Sequence, residues 1–244
     1  MVLLLVHCSR VRQVIPLLDG GPPTVKKFWK QQAYLSETPH NVAGNGYLQI
    51  DVPELAGKSR ARYAYSSKGE LSLELSTLLT GKLADVYVTD DSVVVNDYVQ
   101  QQSFVDRLEN LALPGIGQLN LGEWDLTTLF LGIVDLQDND WEYQTEPEPH
   151  FYRPQEEVLL DTYGRLRTWS VRDESSRKLV RELELEYETS DALFPVSITI
   201  SDYAMKRKIK LTHNKVVWDD PYFQVLTIQP AFPQPFKFSI LQDK

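Results

Sequence analysis

Cysteine is almost missing from this sequence: Cys8 stands alone among 244 residues. A single thiol excludes an intrachain disulfide framework and any zinc site built on several cysteines. Histidine is scarce as well. His7, His40, His150 and His213 fall nowhere near one another at ligand spacing, so no metal centre is expected. Beyond the first six residues, no apolar run approaches the roughly 20 residues needed to span a bilayer. Positive charge is in deficit, with 25 Lys and Arg against 34 Asp and Glu and a net charge of -9. That balance speaks against nucleic acid, whose phosphates require clustered cations, and against electrostatic adhesion of the chain to anionic lipid. Lys26-Lys27 and Lys206-Arg207-Lys208 are short groups inside periodic segments and read as solvated faces.

Motifs of catalysis are missing too. There is no phosphate-cradling loop and no G-x-S-x-G elbow. The "GIG" at 115–117 lacks the flanking strand and third glycine of a dinucleotide fingerprint. "TEPEPH" gathers Glu146, Glu148 and His150, which read as solvated loop charges. Nothing sets two carboxylates across a cleft. The expectation is a binding protein without cofactor, not an enzyme.

What is present is periodicity. "MVLLLVHCSR" ends an apolar run at Cys8, and "SRVRQVIPLLDGGPP" comes next as a tether, broken by Gly20-Gly21-Pro22-Pro23. Val25, Phe28 and Trp29 predict an amphipathic helix over about 24–35. The period then shortens to two in "GYLQIDV", "SRARYAYSS", "ELSLELST", "ADVYVTD" and "SVVVNDY", an antiparallel meander with one apolar face. Two helices are expected in the middle. One is "SFVDRLENLALPG", with Ser103 as cap and Phe104, Leu108 and Leu111 on one side. The other is "DLTTLFLG", with Asp125 as cap and Gly132 as stop. A second strand set comes after them: "EVLLDTY", "LRTWSVRD", "LVRELELEYE", "FPVSITISD", "KRKIKLTHNKVVW" and "FQVLTIQP". The fold class is mainly β (α+β): an unclosed antiparallel barrel of about 11 strands, with helices forming a lid over an apolar cavity or a filled core. The domains are a residual signal segment at 1–8, a tether at 9–23 and one barrel domain at 24–244. Between two of the strands, Leu78-Leu79 occupies a turn, where polar residues are usual. The two leucines either fold back onto the core or project as an apolar tip.

Four stretches carry a resemblance: "LELSTLLTGKLADVYVTDD", "RLENLALPGIGQLNLGEWDLTTLFLGI", "FPVSITISD" with "KRKIKLTHNKVVW", and "LVHCSR". In their order and pattern, over about residues 24–218, the chain resembles the LolA/LolB-like family of bacterial lipoprotein carriers and receptors, the receptors more closely. The resemblance implies an open barrel whose apolar interior holds the acyl chains of lipidated proteins or other lipids. The implied partners are a periplasmic lipoprotein carrier and the outer membrane, reached through a lipid anchor, with the protein a monomer. By position, Leu79, with Leu78 beside it, matches the family's membrane-inserting loop, although this loop is one residue longer and lacks the proline before the leucine. Leu5-Val6-His7-Cys8 resembles a lipobox, with His7 where a small residue is usual, which makes Cys8 the implied lipidation site. Ser9 then implies export to the outer membrane, periplasmic face. Candidate lining residues are Trp29, Leu73, Leu75, Val86, Leu129, Phe130, Leu185 and Ile200, all equally suited to an ordinary core. A second reading keeps the fold and anchor but makes the chain a protein-binding or envelope-assembly module. The arm "FQVLTIQPAFPQPFKFSI" offers prolines and aromatics to such a partner.

Overall fold

The structure is a computed structural model. It describes residues 23–37, 40–53, 55–79, 81–89, 92–107, 112–113, 117–118, 126–134, 136, 141–145, 148–220 and 223–233. Cys8, the tether at 9–22, Leu108, Leu111 and the cap candidate Asp125 lie outside the described residues.

Helix α1 (Pro23–Glu37) opens the described chain with proline in its first turn, where the missing N–H costs nothing. Six strands follow as a meander: β1 (Asn41–Val52), β2 (Leu55–Ser66), β3 (Glu70–Thr77), β4 (Gly81–Val88), β5 (Ser92–Asp97) and β6 (Gln102–Arg107). A two-stranded ribbon, β7 (Ala112–Leu113) with β8 (Gly117–Gln118), precedes helix α2 (Leu126–Leu131). The second strand set is β9 (Glu142–Gln144), β10 (His150–Arg153), β11 (Glu156–Leu160), β12 (Leu166–Arg172), β13 (Leu179–Glu186), β14 (Ser197–Asp202) and β15 (Arg207–Trp218). The two sets meet where β1 pairs with β15. This makes one 13-stranded antiparallel sheet in the order β6-β5-β4-β3-β2-β1-β15-β14-β13-β12-β11-β10-β9. β6 and β9 are its two ends, and the sheet is open.

Three expectations are corrected. The main sheet has 13 strands rather than about 11, because β9 and β10 are too short for their alternation to stand out. Residues 102–107, expected to start a helix, are strand β6. Ser103 does not cap there: it is fully buried, and its Oγ donates to Asn96 Oδ1 at 2.6 Å. Phe104 faces Val95 across the ladder, so pairing with β5 overrides the helical spacing. "FQVLTIQP", expected to be a strand, joins no sheet and runs as an arm over 223–233. Gly132 ends α2 as expected, with φ of 68° and its N–H donating to Thr128 O at 2.9 Å.

The alternation in the strands sorts one face inward. Val42, Tyr63, Tyr65, Leu71, Leu75, Val86, Val95, Ile198, Leu183, Leu185, Trp169 and Val158 all belong to one buried cluster. α1 lays Phe28 and Trp29 against this face, with their rings 5.2 and 5.8 Å from that of Phe151 on β10. α2 lays Phe130 there too, stacked on Tyr65 at 4.9 Å. Gln32 of α1 ties the helices together, donating from Nε2 to Gly132 O at 3.0 Å and accepting from Val134 N at 2.8 Å. The outward face of β13 carries Glu182, Glu184 and Glu186. Their neighbours across the ladder are Ser201, Thr199 and Ser197, with Lys208 and Lys210 one strand further on. Lys210 meets Glu186 at 3.3 Å.

Candidate functional site

All eight candidate lining residues fall in one place. Trp29, Leu75, Val86, Leu129, Phe130 and Leu185 are buried in the inner cluster, and Leu73 and Ile200 are partly buried against it. Leu73 faces Val86 directly across the ladder, with Tyr63 on its other side. Leu185 faces Ile198, and Ile200 faces Leu183 on the same inward row. The inner wall is therefore a continuous apolar surface shared by both halves of the sheet and both helices.

Polar groups interrupt that wall at places the sequence did not single out. Tyr63 on β2 and His213 on β15 share a short hydrogen bond through Nδ1, with ring centroids 5.1 Å apart. Burial pushes the Tyr63 phenol up and pushes His213 down to about 4, so the imidazole is neutral at physiological pH. His213 Nε2 is buried without a partner among the described residues. Further along the wall, Glu156 accepts from Arg153 Nε and from Trp169 Nε1, both at 2.8 Å. The Arg153 guanidinium lies 4.6 Å over the Trp141 ring. This buried carboxylate has its cation and a second donor, as a charge at that depth requires. The alternation in "SRARYAYSS" could have found Tyr63. The alternation in "KRKIKLTH" likewise puts His213 in the row of Ile209 and Leu211, but the meeting of the two residues depends on β2 and β15 both flanking β1, which no local pattern shows.

The remaining histidines have local tasks. His40 Nδ1 meets Asp219 Oδ2 at 2.9 Å, and His150 Nδ1 meets the Glu148 carbonyl at 2.7 Å. Glu148 is held by Arg167, and this contact lowers its carboxyl below the usual range. His7 lies outside the described residues.

At the turn between β3 and β4 the leucines project. Leu78 is 77% exposed and Leu79 97% exposed. Neither reaches the core, which on β3 ends at Leu75. Beside this tip, on the outer wall, a groove of about 390 Å³ is lined by Asn45, Tyr47, Arg60, Arg62, Glu74 and Asn214, among others. No helix among the described residues is long and apolar enough to cross a membrane.

No family model matches the sequence, and no curated protein matches it. Solved structures are similar in fold. A Vibrio parahaemolyticus domain described as an outer membrane lipoprotein-sorting protein is 9% identical, with a TM-score of 0.49 over 80% of this chain and 92% of that one. A DUF1329 family protein from Desulfovibrio piger is 8% identical, with a TM-score of 0.48 over 82% and 95%. A LolA superfamily protein from Nitrosomonas europaea is 10% identical, with a TM-score of 0.42 over 86% and 96%. At these identities and scores the likeness is one of fold, and it assigns no activity to this chain.

Proposed function

We propose that this chain is an outer-membrane lipoprotein, anchored through acylated Cys8, that receives the acyl chains of lipidated proteins in its open barrel and releases them to the membrane. The observation that carries this reading is the pair of leucines at a turn tip, almost fully in water. Burying one leucine side chain is worth about 1.5–3 kcal/mol, so two exposed at one tip are costly to display unless an apolar phase receives them. The apolar inner wall supports the other half of the reading, since acyl chains need only such a surface. In this reading α1 and α2 form the lid, and Trp29, Leu73, Leu75, Val86, Leu129, Phe130, Leu185 and Ile200 line the acyl site. No covalent step is involved. Transfer is driven by the difference in buried apolar area between carrier, receptor and bilayer, at roughly 25 cal/mol per Å².

The test is transfer of a labelled lipoprotein from a periplasmic carrier to this protein and then to liposomes, with Cys8 replaced so that no acyl anchor contributes. Wild type should accept and deliver, and Leu79→Glu should accept without delivering. Failure of both to accept would sink the transfer reading. The alternative, a protein-binding module, loses support from its arm. Residues 229–233 are folded back onto the chain's own strands β5 and β6 rather than held free.

A further inference from the structure

Arg60 and Arg62 stand side by side on the outward face of β2, both exposed, and both line the groove beside the leucine tip. Among the described residues neither guanidinium has a hydrogen-bond or ion-pair partner. The acid nearest at hand is Glu74, directly across the ladder from Arg62, but it meets Lys82 at 3.3 Å instead. Lys58 continues the same row, and its ammonium lies 4.2 Å over the ring of Tyr47, another lining residue. The groove is thus a cationic recess, with Asn45, Ser76 and Asn214 available as further hydrogen-bond partners.

Its height above the tip is defined by the ladder. Arg60 is opposite Ser76, two residues before Leu78. At about 3.4 Å per residue that is about 7 Å along the strand. The headgroup layer of a bilayer is about 5–8 Å deep on each side of the hydrocarbon. With the hairpin upright and its leucines in the hydrocarbon, Arg60 therefore sits at the level of the lipid phosphates, and Arg62, opposite Glu74 and about 7 Å farther from the tip, faces them from the water side. Two other turns on the same edge of the sheet also end in apolar side chains: Val99 after β5 and Met205 after β14 are 71% and 52% exposed. Exposed acids occur at both edges: Glu188 and Asp191 in the turn between β13 and β14 at the far edge, and Asp173 and Glu174 in the turn between β12 and β13 at this one, several strands away from β3.

We propose that this outer-wall groove binds the phosphate of an anionic phospholipid headgroup, one with no ammonium beside it, with Arg60 and Arg62 as its ligands, when the Leu78-Leu79 tip enters the bilayer. The net charge of -9 opposes adhesion of the chain as a whole. Charges more than about 8–10 Å from the contact are screened at physiological salt, however, so the local row of Lys58, Arg60 and Arg62 decides the orientation. The groove deepens the membrane-delivery reading, on which it rests, by naming the lipid chemistry that the delivering edge recognises.

The experiment is co-sedimentation of the full chain, carrying Cys8→Ser, with vesicles of phosphatidylcholine alone and with added phosphatidylglycerol. Wild type should prefer the anionic vesicles. Each cation near an anionic surface contributes about five-fold, so Arg60→Gln with Arg62→Gln should lose about 30-fold of binding there and nothing on phosphatidylcholine. Leu79→Glu should weaken binding to both. Equal binding of the double variant and wild type to anionic vesicles, or no preference in wild type, overturns the proposal. Acceptance of a lipoprotein from its carrier, measured without vesicles, does not involve the groove. A chain that fails to accept but shows arginine-dependent binding keeps the groove and loses the transfer reading. Both arginines are exposed, and circular dichroism checks that the variants remain folded.

Discussion

Tyr63 reaches His213 across an intervening strand. The two residues lie on β2 and β15, and β1 runs between them. Contact is possible because the residue of β1 beneath the phenol is Gly44, which pairs with Tyr63 on one side and Val216 on the other. A Cβ at Gly44 would lie 2.5 Å from the Tyr63 hydroxyl and 2.6 Å from the carbonyl oxygen of Lys215. The second of these is backbone and cannot swing away. Gly44→Ala should therefore cost about 1–3 kcal/mol, as overpacking against fixed backbone does. Tyr63→Phe removes the partner of a buried ring nitrogen and should also cost about 1–3 kcal/mol. Urea unfolding of both variants checks this, and wild-type stability in either would show the pair to be unimportant.

His213 also makes stability depend on pH in a defined window. Its folded value is about 4, pushed down by burial from an ordinary value of 6.5. Between those values the unfolded chain binds a proton that the folded chain refuses, so stability is complete above the unfolded value and falls as pH drops through the window. Allowing for partial exposure, the loss at about pH 4.5 should be about 2 kcal/mol. His213→Gln retains a hydrogen-bonding group beside Tyr63 but cannot titrate. The difference in stability between wild type and His213→Gln should shift by that amount between neutral pH and pH 4.5. A constant difference would show that His213 is solvated in the folded protein.

Most of the sheet was legible because alternation is a physical consequence of pleating. In "ELSLELST" the inward row Leu71, Leu73 and Leu75 could be read directly, and the structure keeps it. What stayed hidden depended on contacts distant in sequence. Ser103 and Phe104 have helix-compatible spacing, and only Asn96 and Val95 across the ladder make them strand. "FQVLTIQP" alternates like a strand, yet its polar contacts run through the side chain of Asn96 rather than through a neighbouring ladder. His213 continues the inward row of Ile209 and Leu211, but its partner Tyr63 was unreadable because the two strands meet only across β1. The lining residues could be placed on the inner wall from alternation alone. The polar pair among them and the cationic groove outside them could not.

Asn96 holds the arm. Its Nδ2 donates to the carbonyl of Gln229 at 3.0 Å and its Oδ1 accepts from the N–H of Ala231 at 3.0 Å, so one side-chain amide serves two backbone groups of an extended segment. Ser103 Oγ accepts from Phe232 N at 2.8 Å, and the Phe232 ring meets Tyr98 edge-on at 5.2 Å. Asn96 is 1% exposed, so Asn96→Ala leaves both groups of the arm and Ser103 Oγ short of a partner. The arm should detach before the sheet melts. Hydrogen exchange at the Ala231 and Phe232 amides should speed up by about ten-fold or more, corresponding to about 1.4 kcal/mol of lost local protection, while β1 and β15 stay protected. Unchanged exchange in the arm would mean that Phe232 alone secures it.

The leucine tip and the leucine core can be separated by stability alone, without any membrane. Leu75 lies at the inner end of β3, 7% exposed, and Leu79 lies four residues on, 97% exposed. Truncating a buried leucine removes its transfer energy and leaves a cavity, so Leu75→Ala should cost about 2–5 kcal/mol. Leu79 touches no core, so even Leu79→Glu should stay within about 0.5 kcal/mol of wild type in urea. Leu78→Glu should behave alike. A tip variant that unfolds early would show that the leucines fold back in solution, and the delivery defect expected of Leu79→Glu could then be put down to misfolding. A stable tip variant makes any loss of vesicle binding a property of the exposed side chain itself.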